Sequence, residues 1–239
     1  MAAINHLRPA RTQANVWQGQ FLMMRRDYIL RMIEQIGQAL ARVQRHVSER
    51  EYPEADDALE KTLAELLGPG VDVTQLSEAE LLAKLTIDGP TLMVKEKTLI
   101  LISLLNEAGS LRLAQGREAE GQDCWLKALN LLLTIKLQDA EFEFPEFVPK
   151  IDQLRDQLRD VELPLRTLAG LWRHYETIGA FDRAEDALSD LLEAEPENAE
   201  LRTEAKAFYE RLLRETDASL NSGNLPRAEV ETALAELST

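Results

Sequence analysis

The side chains that most often carry chemistry are few and scattered in this sequence. Cys124 is the only cysteine, so the chain can form no internal disulfide and no cysteine-based zinc cage. The three histidines, His6, His46 and His174, form no pair at helical spacing. Glycine-rich phosphate loops and the Gly-x-Ser-x-Gly nucleophile motif are absent. The sequence therefore predicts no catalytic residue, no metal ligand and no cofactor, and we expect a protein that is not an enzyme.

The sequence around Cys124 and His174 predicts where these two side chains lie. Cys124 precedes Trp125 on a predicted helix and has no basic neighbour in sequence that would lower its pKa, so we expect it to pack rather than react. His174 lies beside Tyr175. Because no second metal ligand is near it in sequence, we expect His174 on the surface or at a partner contact.

Acidic side chains are abundant, with 42 Asp and Glu against 27 Lys and Arg and a net charge of -15. One group lies near a predicted helix start: Glu54, Asp56, Asp57 and Glu60. Carboxylates in a first helical turn usually complement the helix dipole, which makes a catalytic or calcium role the weaker interpretation. The charge also disfavours nucleic acid as a partner, because phosphate binding needs clustered Lys and Arg.

The acidity is unevenly distributed. Residues 1–50 carry eight basic and three acidic side chains, whereas the remaining residues carry 19 and 39. The basic start is either a solvated segment or one whose arginines dock on an anionic surface, including that of this protein itself. No apolar run approaches the roughly 20 residues of a transmembrane helix, and no secretory signal is evident, so we expect a cytoplasmic protein without membrane insertion.

Helix is the dominant secondary-structure signal. The chain has 41 Leu against 19 Val and Ile, a balance that favours helix over strand. Apolar residues recur at intervals of three and four along Ile29–Val47 and predict a long first helix. Ser77 and Glu80 predict a capping box for a short helix over Ala79–Leu85. Gly89–Pro90 is one of several helix boundaries marked by glycine or proline.

Four segments predict helical hairpins, in which glycine ends the first helix and small residues let the second approach closely. The clearest is Leu165–Asn198, with Gly179 at its turn. The others have turns at Gly116, at Gly223 and, where Arg50 replaces glycine, before residue 52. This pattern resembles the tetratricopeptide repeat (TPR), a helical hairpin of 34 residues.

The predicted fold is all-α, an irregular TPR-like right-handed superhelix of antiparallel helical hairpins with about nine helices. Another kind of helical bundle is the alternative. One helix is expected to be lengthened, from Ala199 to Asn221. The expected divisions are a basic N-terminal extension (1–20), an N-terminal half with two TPR-like hairpins (21–138), a Phe/Pro-containing connector and helix (139–163), and a C-terminal half with two TPR-like hairpins (164–239).

A second resemblance is carried by four stretches: Arg26–Glu34, Leu126–Leu133, Glu162–Pro164 and Phe208–Leu213. Through them the chain, from about Phe21 onwards, is similar to a family of uncharacterised bacterial proteins with a repeat-like fold. That family is known only by a label of unknown function. The resemblance therefore implies a fold and supplies no active site.

The TPR resemblance also implies binding residues, because the first helices of TPR hairpins line a concave face that accepts peptides. Matched positions are Ser103, Asn106 and Ser110, followed by Arg166, Arg173 and Glu176. Only Asn106 approaches the carboxylate clamp of some TPR proteins. The alternative for Arg166 and Arg173 is pairing with acids on neighbouring helices.

The segment Glu141–Pro149 is a further candidate. It holds three of the six phenylalanines, Phe142, Phe144 and Phe147, interleaved with acids. These rings are expected to plug a hydrophobic seam between the two halves. The alternative is a mobile loop that offers aromatic anchors to a partner.

Together these patterns favour a non-enzymatic scaffold or adaptor that binds a peptide or protein on its concave face. Its acidity favours a cationic partner. A self-associating structural protein and a helical domain with a small-molecule pocket are the alternatives, and the sequence leaves the oligomeric state open.

Overall fold

A computed structural model describes residues 34–87 and 94–237 of the 239-residue chain. The predicted N-terminal extension, the start of the first helix and the Gly89–Pro90 boundary lie outside the described residues. Within them the chain forms eleven α-helices and no β-strand. The all-α prediction is thus confirmed.

The helices in chain order are α1 (34–49), α2 (Tyr52–Leu67), α3 (Glu78–Ile87), α4 (Val94–Ala114), α5 (Glu118–Gln138), α6 (Ile151–Gln157), α7 (Leu165–Ile178), α8 (Phe181–Ala194), α9 (Ala199–Leu212), α10 (Asp217–Ser222) and α11 (Arg227–Glu236). The described residues hold two more helices than the nine or so expected, and one of the two is the separate short helix α10. None of the described helices combines the length and the apolarity that a membrane span requires.

The lengthened helix expected from Ala199 to Asn221 is wrong. Helix α9 ends at Leu212, and the hydroxyl of Thr216 accepts a hydrogen bond of 3.1 Å from the backbone N–H of Ser219. A threonine that caps a helix in this way starts a new helix. The chain therefore breaks before α10.

The capping box before α3 is confirmed. The backbone N–H of Ser77 donates to the Glu80 carboxylate at 2.9 Å, and the backbone N–H of Glu80 donates to the Ser77 hydroxyl at 3.3 Å. These reciprocal bonds satisfy donors that the first turn of a helix leaves unpaired.

The chain reverses between helices at all four predicted turns. Gly116 and Gly179 both have φ 76°, and Arg50, which stands where the other turns have glycine, has φ 62°. At the fourth turn the positive φ belongs to Asn224 (55°) and not to Gly223. Gly223 is needed for a different reason, since a Cβ atom there would lie 2.4 Å from the carbonyl oxygen of Gly179.

Glycines also set the distance between α4 and α5. A Cβ atom on Gly121 would lie 2.8 Å from the carbonyl oxygen of Gly109, and one on Gly109 would lie 2.4 Å from Nε1 of Trp125. The Trp125 indole N–H donates to the Asn106 carbonyl at 3.2 Å. The two longest described helices therefore touch backbone to backbone along this seam.

The hydrophobic core is one continuous cluster that extends from Ile36 on α1 to Val230 on α11. Every residue from Leu99 to Leu105 is buried, so α4 lies at its centre. A helix that is apolar around its whole circumference is expected to be enclosed in this way. Helix α5 packs against α4 on one side and against α6 and α7 on the other. The right-handed superhelix stays a prediction.

Candidate functional site

Helix α4 does not present the binding residues expected on it. Ser103 is only 2% exposed, and its hydroxyl donates to the carbonyls of Leu99 and Phe147 at 3.1 and 3.0 Å. Asn106 is 8% exposed, and Ser110 is half-buried with its hydroxyl bonded to the Asn106 carbonyl. The structure thus corrects the expectation of an open face here, because the apolar circumference of α4 draws other segments over it.

Helix α7 carries the other three predicted residues, and all of them form ion pairs with neighbouring helices. Arg166 pairs with Glu78 at 2.7 Å, Arg173 with Glu204 at 3.8 Å, and Glu176 accepts two bonds, of 2.7 and 2.9 Å, from Arg211. Both arginines thus make pairs with acids on neighbouring helices, as the alternative interpretation expected. Because Arg166 and Arg173 remain largely exposed, a contact with a partner stays a prediction.

The phenylalanine segment packs on the core. Phe142, Phe144 and Phe147 are each half-buried, and the first two rings meet edge to face with centroids 5.6 Å apart. The ammonium groups of Lys95 and Lys136 lie 3.5 and 5.5 Å from the centroids of the Phe142 and Phe144 rings. These contacts place the rings on α4 and α5, both in the N-terminal half, so a plug between the two halves stays a prediction.

One concave site is a groove between α6, α7 and α8, none of whose lining residues was predicted from the sequence to bind a partner. Its volume is about 310 Å³. We call it the α6–α8 groove and define it by its lining residues: Asp152, Arg155 and Asp156 from α6; Leu168, Leu171 and Tyr175 from α7; Arg183, Asp186, Ala187 and Asp190 from α8. In each helix these residues recur at spacings of three and four, so each helix offers one face to the groove. The leucines and the alanine are buried and form its floor, whereas all four aspartates are exposed around it.

One end of the groove is a hydrogen-bonded triad. The Tyr175 hydroxyl donates to the Asp152 carboxylate at 3.0 Å, and the Arg183 guanidinium lies 2.7 Å from the same oxygen. Partial burial disfavours ionisation of Asp152, but the bonds from Arg183 and Tyr175 outweigh it and lower its pKa. Burial and the nearby Asp152 raise the pKa of Tyr175 to about 12, so its hydroxyl stays protonated.

The other end of the groove carries an excess of negative charge. Partial burial, together with the charges of Asp182 and Asp190, raises the pKa of Asp186. Asp156 and Asp190 have no side-chain ion pair among the described contacts, and both are exposed. This end of the groove can therefore accept a positive charge.

A smaller depression, of about 190 Å³, lies between α3, α5 and α7 and includes Arg166. The Asn130 amide donates to Glu78 at 2.8 Å and accepts a bond of 2.8 Å from the Thr167 hydroxyl. Burial opposes ionisation of Glu78, but the bonds from Asn130 and Arg166 lower its pKa. These polar groups satisfy one another, so the network serves to join three helices.

Cys124 and His174 both lie in the interior of the protein. Cys124 is buried, and burial raises its pKa to about 11, which agrees with a packing role. His174 is only 8% exposed and packs beside Tyr175, so its expected place on the surface is wrong. Burial, and then the charge of Lys136, lower the pKa of His174.

One group of side chains in the described residues could hold a metal ion. His46, Glu49 and Glu51, at the C-terminal end of α1, have ligand atoms that all lie within 4.8 Å of one another. Its sequence signal is one histidine followed by glutamates three and five residues later, which is weaker than the histidine pair of a typical metal motif.

Fold and site together define an all-α protein of packed helical hairpins with an acidic groove on its surface. The chain belongs to a family of unknown function (DUF6483), whose model matches residues 23–239. This match confirms the resemblance to an uncharacterised family, while the likeness to TPR proteins stays a prediction. No curated protein and no solved structure matches the chain.

Proposed function

We propose that this protein is a non-enzymatic scaffold or adaptor that binds a cationic segment of a protein or peptide partner in the α6–α8 groove. The observation that carries the proposal is the set of four aspartates around a floor of two leucines and an alanine. Only two arginines, Arg155 and Arg183, line the groove, and Arg183 is already paired with Asp152. A lysine or arginine from a partner would supply the missing positive charge.

The size of the groove limits what it can hold. Its volume of about 310 Å³ lies at the lower end of the roughly 300–1,000 Å³ of ligand pockets. It therefore suits a few side chains of an extended segment. A basic residue beside an apolar one fits best, because the apolar side chain covers the leucine floor while the charge meets Asp156 or Asp190.

The proposal also covers the scaffold, the cellular compartment and the two exposed arginines of α7. The helical hairpins would form a TPR-like scaffold, which is supported by the chain reversals at all four predicted turns. The protein would act in the cytoplasm of a bacterial cell, for which its lone cysteine, buried and unpaired, is compatible. The exposed Arg166 and Arg173 would contribute at most a secondary contact, since both already have acidic neighbours.

A selection from a randomised peptide library displayed on phage tests this function. We expect the full-length protein to enrich peptides in which Lys or Arg lies next to a large apolar residue. The enriched peptides should fail to bind the variant Asp156→Asn/Asp190→Asn. Enrichment of uncharged or acidic peptides, or the absence of enrichment, would contradict the proposal.

A further inference from the structure

We propose that His46, Glu49 and Glu51 form a binding site for a divalent transition-metal ion of the zinc type at the C-terminal end of α1. Their ligand atoms lie within 4.8 Å of one another in the structure. The site is separate from the α6–α8 groove and independent of the function proposed for it.

The backbone brings the three side chains together. His46 and Glu49 lie on the same side of the last turn of α1, three residues apart. The left-handed conformation of Arg50 then reverses the chain, and the backbone N–H groups of Arg50 and Glu51 donate to the carbonyls of Val47 and His46 at 3.1 and 2.8 Å. These are the two hydrogen bonds of a Schellman motif. As a result, the Glu51 carboxylate lies 2.7 Å from Nδ1 of His46.

The donor set points to the class of metal. One imidazole nitrogen with two carboxylates is a combination used for zinc, whereas calcium and magnesium prefer sites made only of oxygen. Zinc bound tetrahedrally, at about 2.1 Å from each donor, needs donors about 3.4 Å apart, so rotamer changes of the exposed Glu49 and Glu51 side chains close the remaining gap. The negative end of the α1 dipole adds a favourable field for a cation.

The hydrogen bond between His46 and Glu51 shows how the metal would enter. Nδ1 of His46 and a carboxylate oxygen of Glu51 lie 2.7 Å apart, at hydrogen-bond distance. A metal on Nδ1 takes the place of the hydrogen in this contact, and it binds the neutral ring. Water can fill the fourth position, because both carboxylates are exposed.

One contact competes with the metal. The Arg45 guanidinium lies 3.5 Å from Nε2 of His46. When zinc binds Nδ1, the proton of the neutral ring moves to Nε2, and Arg45 must turn away from it. Arg45 is exposed, so this costs little. Removal of Arg45 should nevertheless favour metal binding, because it takes away both a positive charge and the competing contact.

Calorimetric titration of the full-length, chelator-treated protein with zinc chloride tests the site. The expected result is one zinc ion bound per chain, with affinity at least tenfold weaker in His46→Gln and in Glu51→Gln and at least twofold tighter in Arg45→Ala. Glu54→Gln, which removes an exposed carboxylate from the start of α2, is the matched control and should bind as the wild type does.

A thermal melt with zinc gives a second measurement, which does not depend on the heat of binding that calorimetry records. Zinc at a hundred times its Kd should raise the Tm of the wild type, because a ligand of the folded state stabilises it by about 2.7 kcal/mol at that concentration. The same zinc concentration should stabilise His46→Gln by about half as much or less, because a site at least tenfold weaker is then at most ten times above its Kd. Equal zinc affinity in the wild type, His46→Gln and Glu51→Gln would overturn the proposal, as would no binding by the wild type.

Discussion

At the scale of single residues, Arg50 shows the cost of a turn without glycine. It adopts φ 62° at the end of α1. Residues with a Cβ atom avoid this conformation, because Cβ comes too close to the following carbonyl oxygen. Both backbone bonds of the turn are nevertheless formed. The fold therefore carries local strain at this residue, and one substitution can remove it.

We predict that Arg50→Gly stabilises the protein. Glycine adopts the same φ without strain, and the gain should exceed its greater entropy in the unfolded chain, leaving about 0.5–1 kcal/mol of net stabilisation. Urea unfolding monitored by circular dichroism measures the change. A lower unfolding free energy for Arg50→Gly would mean that the Arg50 side chain makes a contribution larger than the strain.

We predict that substitutions at the two ends of the α6–α8 groove change the stability of the fold in opposite directions at neutral pH. The pKa of Asp186 is raised in the folded protein, so its ionisation opposes folding at neutral pH, whereas below its unfolded pKa it is protonated in both states. Asp186→Asn should therefore be more stable than the wild type at about pH 7, and the difference should vanish near pH 3, below the ordinary Asp pKa of about 3.9.

Asp152→Asn is the matched comparison for this prediction. The pKa of Asp152 is lowered by Arg183 and Tyr175 against the effect of burial, so its carboxylate stabilises the fold above the unfolded pKa and loses that contribution as the pH falls through the folded one. Asp152→Asn should be destabilising at neutral pH, with a difference that shrinks in acid. Unfolding free energies measured across this pH range would contradict the account if both variants changed stability in the same direction.

At the scale of the helices, the structure depends on close approach at a few glycines. The α4–α5 seam brings the backbone at Gly109 and Gly121 together, and it places Trp125 over Gly109. A backbone atom cannot move aside as a flexible side chain can. The seam should therefore tolerate no added methyl group at Gly121.

We predict that Gly121→Ala destabilises the protein by about 1–3 kcal/mol or more, as overpacked cores do, because its Cβ would lie 2.8 Å from the Gly109 carbonyl oxygen. Gly37→Ala is the control. No atom lies within 4 Å of a Cβ built there, and alanine favours helix over glycine, so this variant should gain about 0.5–1 kcal/mol. Chemical unfolding of both variants decides whether steric crowding or helix propensity governs these positions.

Local signals predicted the helices well but not their surroundings. The turns, the capping box at Ser77 and the small residues of the α4–α5 hairpin depend on a few neighbouring residues, and the structure has them where they were expected. Burial of Ser103 depends on what covers α4, and the apolar run Leu99–Leu105, in which Ser103 lies, was the sequence signal for that burial. The split of α9 from α10 depends on a threonine cap, which competes with a continuous helical pattern.

At the scale of the whole molecule, the continuous core predicts that the chain unfolds as one unit. The cluster includes residues from every hairpin, and α5 links the N-terminal helices to α6 and α7. Trp125 and Trp172 are buried in different parts of it. In a variant that lacks Trp17 and one of these two tryptophans, the urea transition by fluorescence should coincide with the transition by circular dichroism. Separate midpoints would instead support two independently folding halves, as the sequence divisions suggested.

The α6–α8 groove could not be predicted from the sequence, although some of its residues form a visible pattern. The periodic aspartates of α8, at positions 182, 186 and 190, are visible in the sequence, as are Leu168 and Leu171 on α7. What joins them is the packing of the short helix α6 against its neighbours, which brings Asp152 within 2.7 Å of Arg183. No local pattern specifies that contact, because it arises only when distant segments share a core.

The affinity of a selected cationic peptide for rim variants of the groove tests the central claim most directly. We predict that Asp156→Asn/Asp190→Asn weakens binding at least tenfold by fluorescence anisotropy, a loss of about 1.4 kcal/mol or more. Asp57→Asn/Glu60→Gln, which removes the same charge from the exposed side of α2, should leave the Kd within twofold of the wild type. Equal weakening in both variants, or none in either, would contradict binding in the α6–α8 groove.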